Sequence, residues 1–134
     1  MRYMGMDIGD RWIGVALSDP SGRLASPFTI LRRSDDTADL EAINGIIAEN
    51  RVGMVIAGLP RMLDGSIGRQ AEKVNTFIDK LRDGLTVEVA VRDEWLTTVS
   101  ARRIMQETGG KKAKQRRDDA IAAAVLLQAF LDEL

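Results

Sequence analysis

The chain opens on a period of two. Between Tyr3 and Ile8, the apolar residues Met4, Met6 and Ile8 alternate with Tyr3, Gly5 and Asp7, the pattern of a strand with two distinct faces. Gly9-Asp10-Arg11 reads as a turn, and the β-rich run Trp12 to Leu17 as the returning antiparallel strand. Pro20-Ser21-Gly22 marks a second turn. Leu24 to Arg32 reads as a third strand, in which Pro27 predicts a break or an exposed edge.

The period then changes. Ser34, Asp35, Asp36 and Thr37 supply N-cap chemistry, and Leu40, Ile43 and Ile47 recur at helical spacing, with Gly53 just past the expected end. Met54-Val55-Ile56-Ala57 is continuously apolar, as in a strand buried on both faces. A loop through Leu63-Asp64-Gly65-Ser66-Ile67-Gly68 leads to a second helix with Ala71, Val74, Ile78 and Leu81 on one stripe, closed by Gly84. Thr86 to Val91 alternates again, and Arg92-Asp93-Glu94 ends that strand. Thr97 or Thr98 caps a third helix to about Glu107. Gly109 to Arg117 reads as a basic loop, and Asp118 or Asp119 starts a last helix from Ala120 to about Glu133. That helix is apolar on most faces, so it should lie against the sheet. The order β-β-β-α-β-α-β-α-α predicts an α/β domain with a five-stranded mixed sheet and helices on its faces. No linker or repeat divides the 134 residues, so one domain spanning 1–134 is expected.

Composition narrows the chemistry. The chain has no cysteine and no histidine, which excludes disulfides, zinc fingers, thiol nucleophiles and imidazole bases. Carboxylates, hydroxyls, Lys, Arg or a bound cation remain. Oxygen donors favour hard ions such as Mg²⁺ or Mn²⁺. No apolar run approaches the ~20 residues of a membrane span. The start, Met1-Arg2-Tyr3, lacks the apolar core of a signal peptide, so a cytoplasmic location with no membrane partner is expected. A net charge of −1 conceals a local imbalance, because Arg102, Arg103, Lys111, Lys112, Lys114, Arg116 and Arg117 face only Glu107. This stretch is either a solvated surface or a contact for nucleic-acid phosphates.

Three carboxylates stand out by position. Asp7 lies inside an apolar strand, where an unpaired charge is expensive. Glu94 ends the fifth strand, where it also suits the start of the next helix. Asp119 stands where the last helix begins, and a plain N-cap would also explain it. Converging carboxylates repel one another unless a cation sits between them. One or two Mg²⁺ ions held by all three would activate a water and stabilise a leaving oxyanion, without any histidine.

Met6-Asp7-Ile8-Gly9, Ile13-Gly14-Val15-Ala16 and Ser18-Asp19 together resemble the first motif of the YqgF/RuvX family of RNase H-like nucleases. Gly58-Leu59-Pro60 with Asp64-Gly65-Ser66-Ile67-Gly68 is similar to the second. Asp93-Glu94 with Leu96-Thr97-Thr98 and Ala101 is similar to the third, and Asp119 with Ala122-Ala123, Leu127-Gln128 and Leu131-Asp132 to the last. The resemblance implies an RNase H-like fold and a metal-dependent endonuclease. Members are described as Holliday-junction-resolvase-like and as acting in 5′-end maturation of pre-16S rRNA. It also implies Asp7, Glu94 and Asp119 as catalytic, metal-binding carboxylates. The implied partners are nucleic acid, either rRNA precursor or branched DNA, and a ribosomal particle. Lys111, Lys112, Lys114, Arg116 and Arg117 would then meet phosphates.

One position departs from the family pattern. Trp95 stands where Arg usually follows the Asp-Glu pair, and it could stack on a splayed base or pack as core, packing being favoured. Asp64 to Gly68 could cradle a phosphate or simply lead into a helix. Ser18 and Asp19 are expected to shape a turn more than to support the site. Two other functions use the same residues: a non-catalytic RNA- or ribosome-binding module, and an actin-like nucleotide-binding relative reading Asp7-Ile8-Gly9 as a phosphate turn.

Overall fold

The computed structural model describes residues 1–9, 11–59, 69–93 and 111–134, with the backbone alone at 69–71, 93 and 111–119. The elements are β1 (Arg2–Ile8), β2 (Trp12–Ser18), β3 (Ala25–Arg32), α1 (Asp36–Asn50), β4 (Val52–Leu59), α2 (Arg69–Gly84), β5 (Glu88–Asp93) and α3 (Lys111–Asp132). The five strands form one sheet in the order β3-β2-β1-β4-β5. β1 pairs antiparallel with β2 and parallel with β4, β2 pairs antiparallel with β3, and β4 pairs parallel with β5. The mixed α/β sheet expected from the sequence is therefore present. The helix expected between Thr97 and Glu107 lies outside the described residues.

β1 sits at the centre, and its alternation divides the molecule. Met4, Met6 and Ile8 enter a core with Ile13, Val15, Val55 and the buried faces of α1 and α2. On the opposite face, Ala16, Ile56, Ala123, Leu127 and Phe130 form a second core under α3, with Tyr3 packed against it. Gly5 is why α3 lies so close. A Cβ there would stand 2.8 Å from both the Ala123 carbonyl oxygen and the Leu127 Cβ.

Three boundaries differ from expectation. The run from Lys111 to Arg117, expected as loop, is the start of α3. Lys, Gln, Arg and Ala are all good helix formers, and no Gly or Pro interrupts the sequence from Lys111 to Asp132. Clustered charge marks a polar stretch, not an irregular one. The left-handed residue closing α1 is Arg51 at φ 53°, and its N–H donates to the Ile47 carbonyl. Gly53 already belongs to β4. β5 begins at Glu88, two residues later than Thr86. Pro27 behaves as expected: β3 is an edge strand, and its register slips between Val15↔Thr29 and Ala16↔Pro27.

Gly5→Val tests the close approach. It should lower unfolding stability by about 1–3 kcal/mol, since backbone and not a flexible chain end must give way. Urea denaturation monitored by circular dichroism measures this. An unchanged midpoint would mean that α3 does not rest on β1 as described.

Candidate active site

Asp7 lies on the α3 face of β1, half-buried and one residue before the strand ends. Across the antiparallel ladder it faces Gly14. Gly5 is its nearest neighbour along the strand on that face. On the parallel side, Met6 pairs with Ala57, so the next residue of β4, Gly58, is level with Asp7. Ile56 and Met54 set the face that Gly58 shares. The positions directly beside the carboxylate on this face are thus glycines, with Trp12 and Ala16 diagonal to it on β2. The sequence marks Asp7 but not this glycine surround, whose members are far apart in the chain.

The hairpin turn behind Asp7 is clamped from several sides. The Gly9 N–H donates to the Trp12 carbonyl at 2.9 Å, and the Arg33 N–H to the Arg11 carbonyl at 2.7 Å. Arg33 Nη1 donates to the Gly9 carbonyl at 3.0 Å and Nε to Asp39 Oδ2 at 2.9 Å. The guanidinium also lies 4.2 Å from the Phe77 ring centroid. Asp39 is buried, and its other oxygen accepts from the Ser34 N–H at 3.0 Å. Arg33 therefore ties the turn to α1 and α2. Nothing local in the sequence marks it, because its partners are spread over the turn and both helices.

The carboxyl ends of β1, β4 and β5 share one edge of the sheet, where Ile8, Leu59 and Asp93 stand. Ligand crevices in parallel sheets open at this edge. Glu94 follows Asp93 in the chain and, with Trp95, lies outside the described residues. Asp119 lies in the interior of α3, about two turns past its first residue, Lys111, and so is not an N-cap. Lys111, Lys112, Lys114, Arg116 and Arg117 occupy the first turns of the same helix. Among the described residues, no group of three acidic side chains is close enough to hold a metal ion.

The direction of α3 relative to β1 is fixed by contacts. Tyr3 meets Phe130 edge-on at 5.8 Å between ring centroids, whereas Gly5 meets Ala123 and Leu127. Moving along β1 toward Asp7 is thus moving along α3 toward its start. On β5, Arg92 stacks 5.0 Å from the Phe130 ring and pairs with Glu133 at 3.5 Å, closing the far end of α3 onto the sheet.

Ser18 and Asp19 belong to the opposite end of the hairpin. The buried Ser18 hydroxyl accepts from the Tyr3 N–H at 2.9 Å and donates to the Asp19 carbonyl at 2.8 Å. Asp19 accepts from the Leu24 N–H at 3.0 Å, from the Ser21 hydroxyl and from the Arg23 N–H at 2.8 Å. These donors, the Leu24 N–H foremost, hold its carboxyl far below the usual carboxylate range. The turn-shaping role expected for the pair is what they perform.

A depressed folded-state pKa contributes stability that is full above the unfolded value, about 3.9, and is lost as pH falls through it toward the lower folded value. Asp19→Asn should therefore lower the melting temperature at neutral pH, and the gap to wild type should narrow by about pH 3. Thermal melts at the two pH values check this. A gap of constant size would show that ionisation of Asp19 is not what stabilises the turn.

Comparison with known proteins supplies a family. The model of the RuvX family, described as "Holliday junction resolvase", matches residues 1–133. A protein of Dehalococcoides mccartyi named "Putative pre-16S rRNA nuclease" is 50% identical over 126 residues, covering 94% of each chain. One of the same name from Thermoanaerobacter pseudethanolicus is 42% identical over 134 residues, covering 98% of this chain and 96% of its own. Among solved structures, Thermus thermophilus RuvC in complex with a Holliday junction substrate superposes with a TM-score of 0.60 at 14% identity, over 99% of this chain and 95% of that one. The fowlpox virus resolvase with Holliday junction DNA gives 0.55 at 15% identity, over 99% and 98%. At such identities these structures establish the shared RNase H-like fold.

Proposed function

The chain belongs to the RuvX family of nucleases, which are hydrolases, and from that premise we propose a divalent-metal-dependent endonuclease whose substrate is a precursor of 16S rRNA. Asp7, Glu94 and Asp119 are its cation-holding carboxylates, and maturation of the RNA 5′ end in the cytoplasm is its task. The observation that carries this reading is Asp7 itself: an acid on a central strand, at the carboxyl edge of the sheet, with glycines directly beside it. The names of relatives at 42% and 50% identity favour RNA as the substrate, and the family description makes a four-way DNA junction the substrate to compare with it. A ribosomal particle would present the RNA in its natural context.

Helix periodicity supports the place of Asp119 in the set. Counting back along α3 from Ala123, which faces the sheet, one turn reaches Asp119, two turns Arg116 and three turns Lys112. These positions continue the sheet-facing stripe in the direction of Asp7. Positions 111, 114 and 117 fall on the other side of the helix. Glu94 follows Asp93, the last residue of β5, in the chain.

The donor set fits Mg²⁺ or Mn²⁺, being carboxylate throughout in a chain without His or Cys. A divalent ion held by these carboxylates would ease deprotonation of the water that attacks the phosphodiester and supply charge to stabilise the leaving oxyanion. The chain's own contribution is position. The strand fixes Asp7, the Arg33 clamp fixes the turn beyond it, and the glycines let a phosphate backbone come close. Cations on α3 offset the charge of the approaching strand. Among the described residues no helix is long and apolar enough to cross a membrane.

Asp7→Asn should reduce Mg²⁺-dependent cleavage of a pre-16S RNA fragment by more than about 100-fold, the upper end for residues that merely support a metal site. Mg²⁺ should also raise the melting temperature of wild type but not of the variant. A variant that cleaves at the wild-type rate overturns the proposal. The helix stripe has its own test in two double variants. Lys112→Gln with Arg116→Gln should cost about tenfold in kcat/KM, roughly one charge-assisted hydrogen bond. Lys114→Gln with Arg117→Gln should cost clearly less. Equal losses would show that the two sides of α3 do not differ in their access to substrate.

A further inference from the structure

On the α1–α2 side of the sheet, next to the turn that comes after Asp7, lies a cavity of about 430 Å³. Gly9, Arg33, Lys73 and Val74 line it among the described residues. Its cations differ in how far they are committed. Arg33 spends Nε on Asp39 and Nη1 on the Gly9 carbonyl. Its Nη2 stands 3.6 Å from Asp36 Oδ1, beyond hydrogen-bond length. Asp36 is itself engaged by Lys80, whose ammonium holds the carboxyl below its usual range. Lys73 is exposed, and no carboxylate among the described residues forms an ion pair with it. The cavity therefore presents an oriented guanidinium edge, whose Nη2 has only a long 3.6 Å ion pair to Asp36, and an exposed ammonium with no ion pair to a carboxylate among the described residues.

We propose that this cavity is a phosphodiester-binding subsite, in which Arg33 and Lys73 hold a backbone phosphate of the nucleic-acid strand beside the one to be cut. The proposal rests on the nuclease function and adds to it where the strand runs: past Asp7, over the hairpin turn and down onto the α2 side. Arg33 suits the site because a planar fork fixed by Asp39 and stacked on Phe77 loses little freedom when it binds an oxyanion. Lys73 adds charge without directional demand. Because Arg33 touches the Gly9 carbonyl two residues from Asp7, an occupied cavity would also fix the turn that carries the acid.

The test titrates a fluorescently labelled pre-16S RNA fragment into wild type and Lys73→Gln, by anisotropy without divalent metal, between about 50 and 200 mM salt. The variant should bind about three- to tenfold more weakly, and its plot of log affinity against log salt should be shallower by about one. Arg82→Gln, at the far end of α2, should change neither quantity. Excess AMP should leave RNA bound to wild type. Wild-type affinity and slope in Lys73→Gln, absence of RNA binding, or displacement by AMP would each overturn the subsite. Cleavage by Asp7→Asn is read separately. If that variant cleaves normally while Lys73→Gln still loses one unit of slope, the cation-holding acids are wrong and the subsite stands.

Discussion

A central strand has no edge and no free face, and in β1 that constraint meets a charge. Both of its neighbours are hydrogen-bonded to it, both of its faces are covered by helices, and it must still carry Asp7. Period-two alternation resolves the conflict. Methionines and Ile8 occupy the face that needs a dry core, while Tyr3, Gly5 and Asp7 form a graded series on the other. Tyr3 packs, Gly5 permits contact with backbone, and Asp7 is reached where the strand nears its end. A one-residue slip would bury the acid among Val15, Ile43 and Ile78 and turn the methionines toward α3, so the register of the whole sheet is bound to the position of one carboxylate.

The contact of Gly5 with α3 has a second consequence. The helix is pinned closely at Ala123 and Leu127, and from there periodicity alone carries it toward the carboxyl edge of the sheet. Alanines at 120, 122, 123 and 124 keep that face thin. Bulkier residues would lift the helix and carry its first turns away from β1. Packing in the second core and the geometry of the candidate site are therefore one problem.

Much of this is legible locally. The β1–β2 hairpin, the edge character of β3 at Pro27, the buried strand β4 and the sheet-facing last helix all reflect patterns a few residues long. Asp7 is legible because a carboxylate in an apolar strand needs a reason. The departures have physical causes of their own. Lys111 to Arg117 resembles a loop only if charge is weighed above helix propensity, although nearly every residue there favours a helix. Arg51, not Gly53, takes the left-handed position because the strand must begin at Val52, a tertiary demand that overrides residue preference. Arg33 and the glycines around Asp7 are invisible in the sequence because their meaning lies in contacts between residues 9, 33, 39 and 77, or 5, 14 and 58. Sequence separation hides such sets even when every member is in plain view.

The first turns of α3 run against local helix stability. A helix start favours acids, because its unpaired N–H groups carry partial positive charge. Here the first turn has none, and five cations crowd positions 111 to 117. Each opposes the macrodipole by roughly a few tenths of a kcal/mol, and each repels the others. Along the helix, Asp118 at i+4 from Lys114 and Asp119 at i+3 from Arg116 are spaced to offset only part of this. Under the function proposed above, the polyanionic strand would offset the rest, with the helix's N–H groups and side chains acting together on its phosphates. An arrangement unfavourable for the free helix would then be favourable for the complex, in a segment whose direction is fixed by the contact at Gly5.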